Sequence, residues 1–344
     1  MTLRAAAEVD AARLSAYLRS QLPDLQGPMH LTRIGGGQSN PTFFIDFDNR
    51  SLVLRKQPPG ELLPSAHAID REYRVQCALA GTGVPVPQMV SYCDEREVIG
   101  TPFYLMDKLE GRVLSHYGLP EIPAAERRAY YFAMAETLAR LHAVDWAAAG
   151  LADYGRPGNF FERQVARWTR QWQASRTRED PHIDRLIDWL PSHLPPGDET
   201  TIAHGDFRFG NLMFHPTEPR VIAVLDWELS TLGHPLADAA YSCMPWHTAA
   251  DEFDGIRGVD LGAQGIPSQR EYLMHYQRCS GRTDSVRPFH LAFSLFRFAV
   301  ILEGIAARAR SGIAAATDAV QVGAQSAAFA RRAVGVIEGD AALV

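Results

Sequence analysis

The sequence predicts an α+β protein of two lobes, a small β-rich lobe over residues 1–107 and a larger, mostly helical lobe over residues 108–344. Three observations carry the prediction. Short apolar runs punctuated by glycine and proline fill the first hundred residues, around a single helical pattern. Helical periodicity dominates after about residue 125. The exception there is one hairpin pattern, whose strands begin and end on Asn211 and Asp226.

In chain order, residues 7–22 read as a helix with Leu14, Tyr17 and Leu18 on one side, ended by Pro23 and the Gly27-Pro28 pair. Residues 29–34 read as a strand, 35–40 as a glycine-rich turn and 42–47 as the returning strand. A third strand, 51–55, is broken by Pro58-Pro59-Gly60. A helix follows over 66–80, then strands over 85–93 and 102–109. Residues 159–178 are amphipathic, with Phe161, Val165, Trp168 and Trp172 on one face and Arg163, Arg167 and Arg170 almost opposite. Ser268 and Glu271 form a capping box for a helix to about Cys279. Helices over 291–310 and 315–338 complete the chain; they finish the large lobe or support a dimer. The first of them is interrupted by Arg297 and Glu303, which marks a buried helix rather than a membrane span.

The chemistry concentrates in His204-Gly205-Asp206-Phe207-Arg208-Phe209-Gly210-Asn211 and in Val224-Leu225-Asp226-Trp227-Glu228. Gly205 and Gly210 give the loop backbone angles closed to other residues. Asn211 starts one strand of the hairpin and Asp226 ends its partner, so both side chains can converge beside the loop that carries Asp206. Any one of these residues alone would read as an ordinary turn residue. Together they match the base and hard oxygen donors that phosphoryl transfer from a magnesium-bound nucleotide requires.

On these motifs, from about residue 30 to residue 245, the chain resembles the aminoglycoside phosphotransferase family, whose fold is similar to that of eukaryotic protein kinases. The form Asp226-Trp227-Glu228 followed by Gly233-His234-Pro235-Leu236-Ala237-Asp238 is most similar to the subgroup of kinase-like domains fused to acyl-CoA dehydrogenases. The resemblance implies Asp206 as catalytic base, Asn211 and Asp226 as ligands of Mg²⁺, two ions in all, and Asp238 as a buried brace of the catalytic loop. It implies ATP or GTP as co-substrate. His204 reads as a structural residue that bonds nearby backbone.

A site of this kind also needs a cation on the third strand, paired with an acid on the next helix. The family pattern places Arg55 where many relatives carry lysine. Lys56, on the other face of the strand, stays the alternative contact to phosphate. Glu72 lies among Ile69, Val75, Gln76 and Leu79, where an acid is costly unless paired, and is the expected partner of Arg55. Its other reading is a surface pair with Arg71 or Gln76. The glycine turn, with no Walker motif, becomes a phosphate-covering loop: Gly36 and Gly37 supply the turn, and Ser39 and Asn40 the donors. Residues 106–109 resemble the interlobe hinge, which implies base contacts by the backbone of Met106 and Lys108. Arg208 either stabilises the transferred charge or pairs with Glu228 or Asp226. Arg163, Arg167 and Arg170 form a solvated face or bind an anionic substrate. Asp251, Glu252 and Asp254 are the acids an aminoglycoside would meet, but they fall in a glycine-rich loop.

The expected function is transfer of the γ-phosphate of a magnesium-bound nucleotide to a hydroxyl of a small molecule, with a hydroxyacyl compound as a candidate acceptor; the alternatives are an aminoglycoside or other antibiotic kinase and a regulatory pseudokinase. A net charge of −6 gives no attraction to nucleic acid or anionic membrane. Cys77, Cys93, Cys243 and Cys279 are scattered, which suits a reducing cytoplasm, and the N-terminus lacks a signal-peptide core.

Overall fold

The computed structural model describes residues 9–35, 40–60, 67–310, 323 and 325–339. It divides into two compact units, one of residues 1–110 with 226–228 and one of residues 111–225 with 229–344.

The first unit opens with α1 (Ala11–Gln21). Asp10 caps it by accepting from the backbone of Ala12 and Arg13 at 3.1 and 3.0 Å, which sets the helix start later than the apolar pattern alone predicts. Five strands follow: β1 (His30–Arg33), β2 (Thr42–Asp46), β3 (Ser51–Lys56), β4 (Met89–Cys93) and β5 (Phe103–Asp107). They form one antiparallel sheet in the order β1-β2-β3-β5-β4. The strand expected from residue 85 starts only at Met89, because Pro85 and Pro87 have no N–H to give a ladder. Leu52 and Leu54 of β3 enter a core with Leu14, Leu18, Phe43, Ile45, Phe103 and Leu105. Each such side chain contributes roughly 1.5–3 kcal/mol through burial. The alternation then turns Arg55 to the opposite face, toward α2 (Ile69–Leu79). A single short turn of helix, α3 (Arg96–Ile99), separates β4 from β5.

The second unit contains β6 (Arg112–Val113), α4 (Ala124–His142), α5 (Phe160–Ser175), α6 (Pro181–Ser192) and β7 (Thr201–Ala203). The expected hairpin is β8 (Leu212–Phe214) with β9 (Val221–Val224), extended by β6 to three strands. Asn211 does not start a strand: Phe209–Asn211 is a 3-10 turn, and its amide folds back on Asp206. A second small ladder pairs β7 with β10 (Thr231–Gly233). After it come α7 (Pro235–Ser242), α8 (Gln269–Ser280), α9 (Pro288–Arg310) and α10 (Ser326–Glu338).

α9 organises this unit, packing against α5, α6, α7 and α10. It is long and apolar enough to cross a bilayer, yet 78% of its apolar window is buried in the fold. Glu303 within it is neutralised internally, accepting from Thr177 N at 2.7 Å, Thr177 Oγ1 at 2.5 Å and Arg178 Nη1 at 3.1 Å. The capping box of α8 is formed, Glu271 N donating to Ser268 Oγ at 3.2 Å and Ser268 N to Glu271 Oε2 at 2.8 Å.

Candidate active site

In the second unit, β7 delivers the chain into the loop His204-Gly205-Asp206. Asp238, in the first turn of α7, is 1% exposed and takes both leading amides: His204 N donates to its Oδ2 at 2.6 Å and Gly205 N to its Oδ1 at 2.9 Å. Burial alone would raise the Asp238 carboxyl; His142, His204 and the Gly205 amide together hold it below its ordinary range. Gly205 has φ +84°, and a Cβ there would lie 2.6 Å from the Leu229 carbonyl, so the position excludes other residues. His204 is fully buried and structural, with Asp206 N donating to its Nδ1 at 3.2 Å and its Nε2 bonded to the Leu225 carbonyl at 2.9 Å.

These contacts aim the Asp206 side chain, 20% exposed, away from the core. Three donors fix it. Tyr241 Oη donates to Oδ1. Arg208 Nε donates to Oδ2 at 3.2 Å and Asn211 Nδ2 to the same oxygen at 2.7 Å. Burial and the Asp206 carboxylate hold the Tyr241 phenol well above its ordinary range, so it stays a donor. Arg208 therefore takes neither of its expected acidic partners, Glu228 or Asp226; it pairs with the proposed base itself. A Cβ at Gly210 would meet Arg208 Nη1 at 2.4 Å, so glycine there leaves room for the guanidinium. Asn211 Nδ2 also donates to the Asp206 carbonyl at 2.9 Å. With its nitrogen committed, its carbonyl oxygen is the end left for a ligand. Leu225 N donates to the Asn211 carbonyl at 2.8 Å, and Asp226 is the next residue. Asp226 adopts φ 62°, left-handed backbone that is uncommon outside glycine and concentrates at functional positions. An amide oxygen and a carboxylate are each hard donors of the kind Mg²⁺ takes, so the chemistry of each residue fits the ion.

In the first unit, Arg55 Nε meets Glu72 Oε2 at 2.9 Å and Nη2 meets Asp226 Oδ1 at 2.6 Å, with Glu228 Oε2 at 3.8 Å. Burial opposes the Arg55 charge; the carboxylates of Glu72, Asp226 and Glu228 more than offset it and hold the guanidinium above its ordinary range. Glu72 is 1% exposed, and burial raises its carboxyl even against Arg55. It is also supported by Asn40 Nδ2 at 2.6 Å and Tyr104 Oη at 3.1 Å. Asn40 was expected at the tip of the glycine turn as a phosphate donor. It is instead buried, its amide spent on Glu72 and its oxygen bonded to His67 Nδ1 at 2.9 Å. Lys56 is buried on the other face of β3. Gly36, Gly37 and Ser39 lie outside the described residues.

The hinge expectation changes at Lys108. Its N–H donates to the Ser51 carbonyl at 3.2 Å and its ammonium pairs with Asp46 at 3.2 Å over the Phe44 ring, so it has no amide to offer a base. Met106 lies within β5, opposite Val53. On α5, Phe161, Val165 and Trp172 are buried as expected, but Trp168 is only half-buried and leaves that stripe. Arg163 donates to the Arg156 carbonyl at 2.6 Å. Glu252 is also a structural residue, gripped by Arg332 at 2.9 and 3.0 Å.

Three participants escaped the sequence reading: Tyr241, Asn40 as a brace, and Arg297, whose Nη2 donates to the Gly205 carbonyl at 2.6 Å. Tyr241 carried a usable signal, since it follows Asp238 by one helical turn and shares its face. A cavity of about 650 Å³ in the second unit, lined in part by Leu236, Trp246, Leu273 and Met274, contains none of the residues that hold Asp206. Glu136, His275 and Cys279 also come together, but Arg140 approaches Glu136 at 3.7 Å and Arg278 approaches His275 at 3.4 Å, which opposes a cation there.

A family model described as the phosphotransferase enzyme family matches residues 30–281. The chain is 45% identical over 318 residues to acyl-CoA dehydrogenase family member 10 of Mus musculus, covering 90% of the chain and 29% of that protein. It is 42% identical over 307 residues to acyl-CoA dehydrogenase family member 11 of Homo sapiens, covering 87% of the chain and 39% of the relative. The chain thus spans well under half the length of these relatives. A solved structure from Ralstonia eutropha, named as a candidate aminoglycoside phosphotransferase, superposes with a TM-score of 0.87 at 45% identity, covering 96% of this chain and 98% of that one. Aminoglycoside phosphotransferase APH(4)-Ia, in a ternary complex with ADP and hygromycin B, superposes with a TM-score of 0.60 at 15% identity over 92% of this chain and 97% of that one, a likeness of fold alone.

Proposed function

The chain belongs to the phosphotransferase enzyme family and has its kinase-like fold, and from that premise we propose that it transfers the γ-phosphate of a nucleoside triphosphate, ATP or GTP, to a hydroxyl of a small molecule. The observation that carries this reading is the three-donor grip on Asp206, one donor being the amide nitrogen of Asn211. Asp206 orients the acceptor hydroxyl and receives its proton. The hydroxyl oxygen forms a bond to the γ-phosphorus as the bond to the β-phosphate oxygen breaks, and the nucleoside diphosphate leaves. Arg208, fixed against Asp206, places positive charge where the transferring group gathers negative charge. Arg55, held by Glu72, binds the nucleotide phosphates with its fork of donors. Asn211 and Asp226 would each offer a hard oxygen to Mg²⁺, which would supply charge neutralisation on the phosphates.

The acyl-CoA dehydrogenase names of the relatives support a hydroxyacyl compound as acceptor. The four cysteines are free thiols, which supports a reducing compartment such as the cytoplasm.

The test is phosphate transfer from Mg-ATP and Mg-GTP to a panel of alcohols, hydroxyacyl compounds and aminoglycosides, with wild type and Asp206→Asn. Loss of a general base lowers turnover by roughly 10²–10⁴-fold, with nucleotide binding retained. A wild type that binds nucleotide but transfers to no hydroxyl, and that the variant matches, would make the chain a regulatory nucleotide binder.

A further inference from the structure

Arg297 lies next to the catalytic loop and shares the Trp168 ring with Arg167. Arg167 of α5 has its guanidinium carbon 5.3 Å from the Trp168 ring centroid. Arg297 of α9 lies 5.5 Å from that same ring and 5.5 Å from the Tyr241 ring. Tyr241 is the residue that donates to Asp206, and Arg297 Nη2 holds the carbonyl of Gly205, the residue before it. Arg297 is therefore joined to the reacting carboxylate through Tyr241 and Gly205, and Arg167 shares the Trp168 ring with it.

Among the described residues, neither guanidinium meets a carboxylate. Other arginines of this unit are paired. Arg178 has Glu303 and Asp180, Arg332 has Glu252, Arg282 has Glu199 and Arg208 has Asp206. Arg297 Nε is buried and has no hydrogen-bond partner. Arg167 is exposed, so its guanidinium is open to a ligand, and Arg297 lowers the stability of its charge. Two like charges that share one indole ring repel each other, and an anionic group that binds both relieves the repulsion. A guanidinium fork suits the planar oxygens of a carboxylate or the tetrahedral oxygens of a phosphate.

We propose that Arg167 and Arg297 form a subsite for an anionic oxygen group of the acceptor, a carboxylate or a phosphate, and so select negatively charged hydroxy compounds over polycations. The proposal deepens the kinase reading and rests on Asp206 marking where the acceptor hydroxyl sits. It also resolves the arginine face of α5, since Arg163 is committed to Arg156 and Arg167 alone is seen to join Arg297.

The experiment follows the indole N–H resonance of Trp168, assigned with Trp168→Phe, while the full chain is titrated without nucleotide. The probes are 3-hydroxybutyrate, its CoA thioester and the neutral 1,3-butanediol. The Trp168 signal is expected to shift with at least one anionic probe at lower concentration than with the diol. A response to the free acid assigns a carboxylate subsite, and a response to the thioester alone assigns a phosphate subsite. Arg167→Gln is expected to reduce the anion-over-diol preference at least tenfold, and Arg167→Lys to restore part of it, because the charge returns without the fork. Anions that leave Trp168 unmoved, or an Arg167→Gln variant that keeps the full preference, overturn the proposal. Nucleotide turnover is scored separately on the same samples, so a failed kinase reading with intact anion binding, and the reverse, are told apart.

Discussion

Asp238→Asn replaces one carboxylate oxygen by an amide of equal size and tests whether the catalytic loop is held from beneath. In the native fold the two carboxylate oxygens each take one buried amide, His204 N at 2.6 Å and Gly205 N at 2.9 Å. Asparagine can satisfy only one of them. The other then faces an NH₂ donor, and a buried unsatisfied N–H costs about 1–3 kcal/mol. The surviving bond loses its charge assistance, roughly a further 1 kcal/mol. The expected destabilisation is about 2–4 kcal/mol, a large share of a typical stability of about 5–15 kcal/mol. Urea unfolding of wild type and variant measures it. The same change lets Asp206 shift, and misplacement of about 1 Å costs on the order of 10²-fold in turnover, so kcat should fall with nucleotide KM little changed. A variant within about 1 kcal/mol of wild type and with native kcat would refute the brace, and with it the assignment of Asp238.

Three further outcomes follow from other parts of the fold. Arg55→Lys replaces the fork that spans Glu72 and Asp226 by a single ammonium, so nucleotide KM should rise about tenfold, and an unchanged KM would remove Arg55 from the phosphate site. Glu303→Gln uncharges a buried acid that Thr177 and Arg178 share; a loss of about 3 kcal/mol in denaturant unfolding is expected, and none would mean the charge is screened. Acid should also destabilise the protein. Burial lowers His142, His234 and His247 from the ordinary value, and burial, followed by His234 and Arg287, lowers His290 to about 3. A depressed histidine binds its proton more readily unfolded than folded, so stability present above pH 6.5 is lost as pH falls toward 3. His290 alone should cost about 2–3 kcal/mol at about pH 4.5, and His290→Gln should flatten unfolding curves measured across that window.

Legibility differed residue by residue. Glu72 was readable because an acid inside an apolar helical stripe demands a partner, and the alternation of β3 offers Arg55 on the matching face. Asn40 was misread because its neighbours in sequence are turn residues, while its burial depends on α2 and β2 closing around it. That the Lys108 N–H is spent on Ser51 was not legible, because which backbone amides the sheet consumes is a matter of register. Arg297 looked like an interruption in an apolar helix; only the packing of α9 beside α5 and α7 brings its head to Gly205 and Trp168.

The sequence by itself determined the two-part α+β organisation, the residues of the phosphoryl-transfer motif and the structural part played by His204. Those depend on periodicity, glycine placement and residue type, which act over a few positions. The tertiary structure alone decided that Arg208 turns onto Asp206, that Tyr241 becomes its third donor, that Asn40 serves Glu72 rather than phosphate, and that Arg297 joins Arg167 at the Trp168 ring. Each of these joins side chains whose separation is set by how helices and strands pack or by how a loop folds back, and no local pattern encodes that distance.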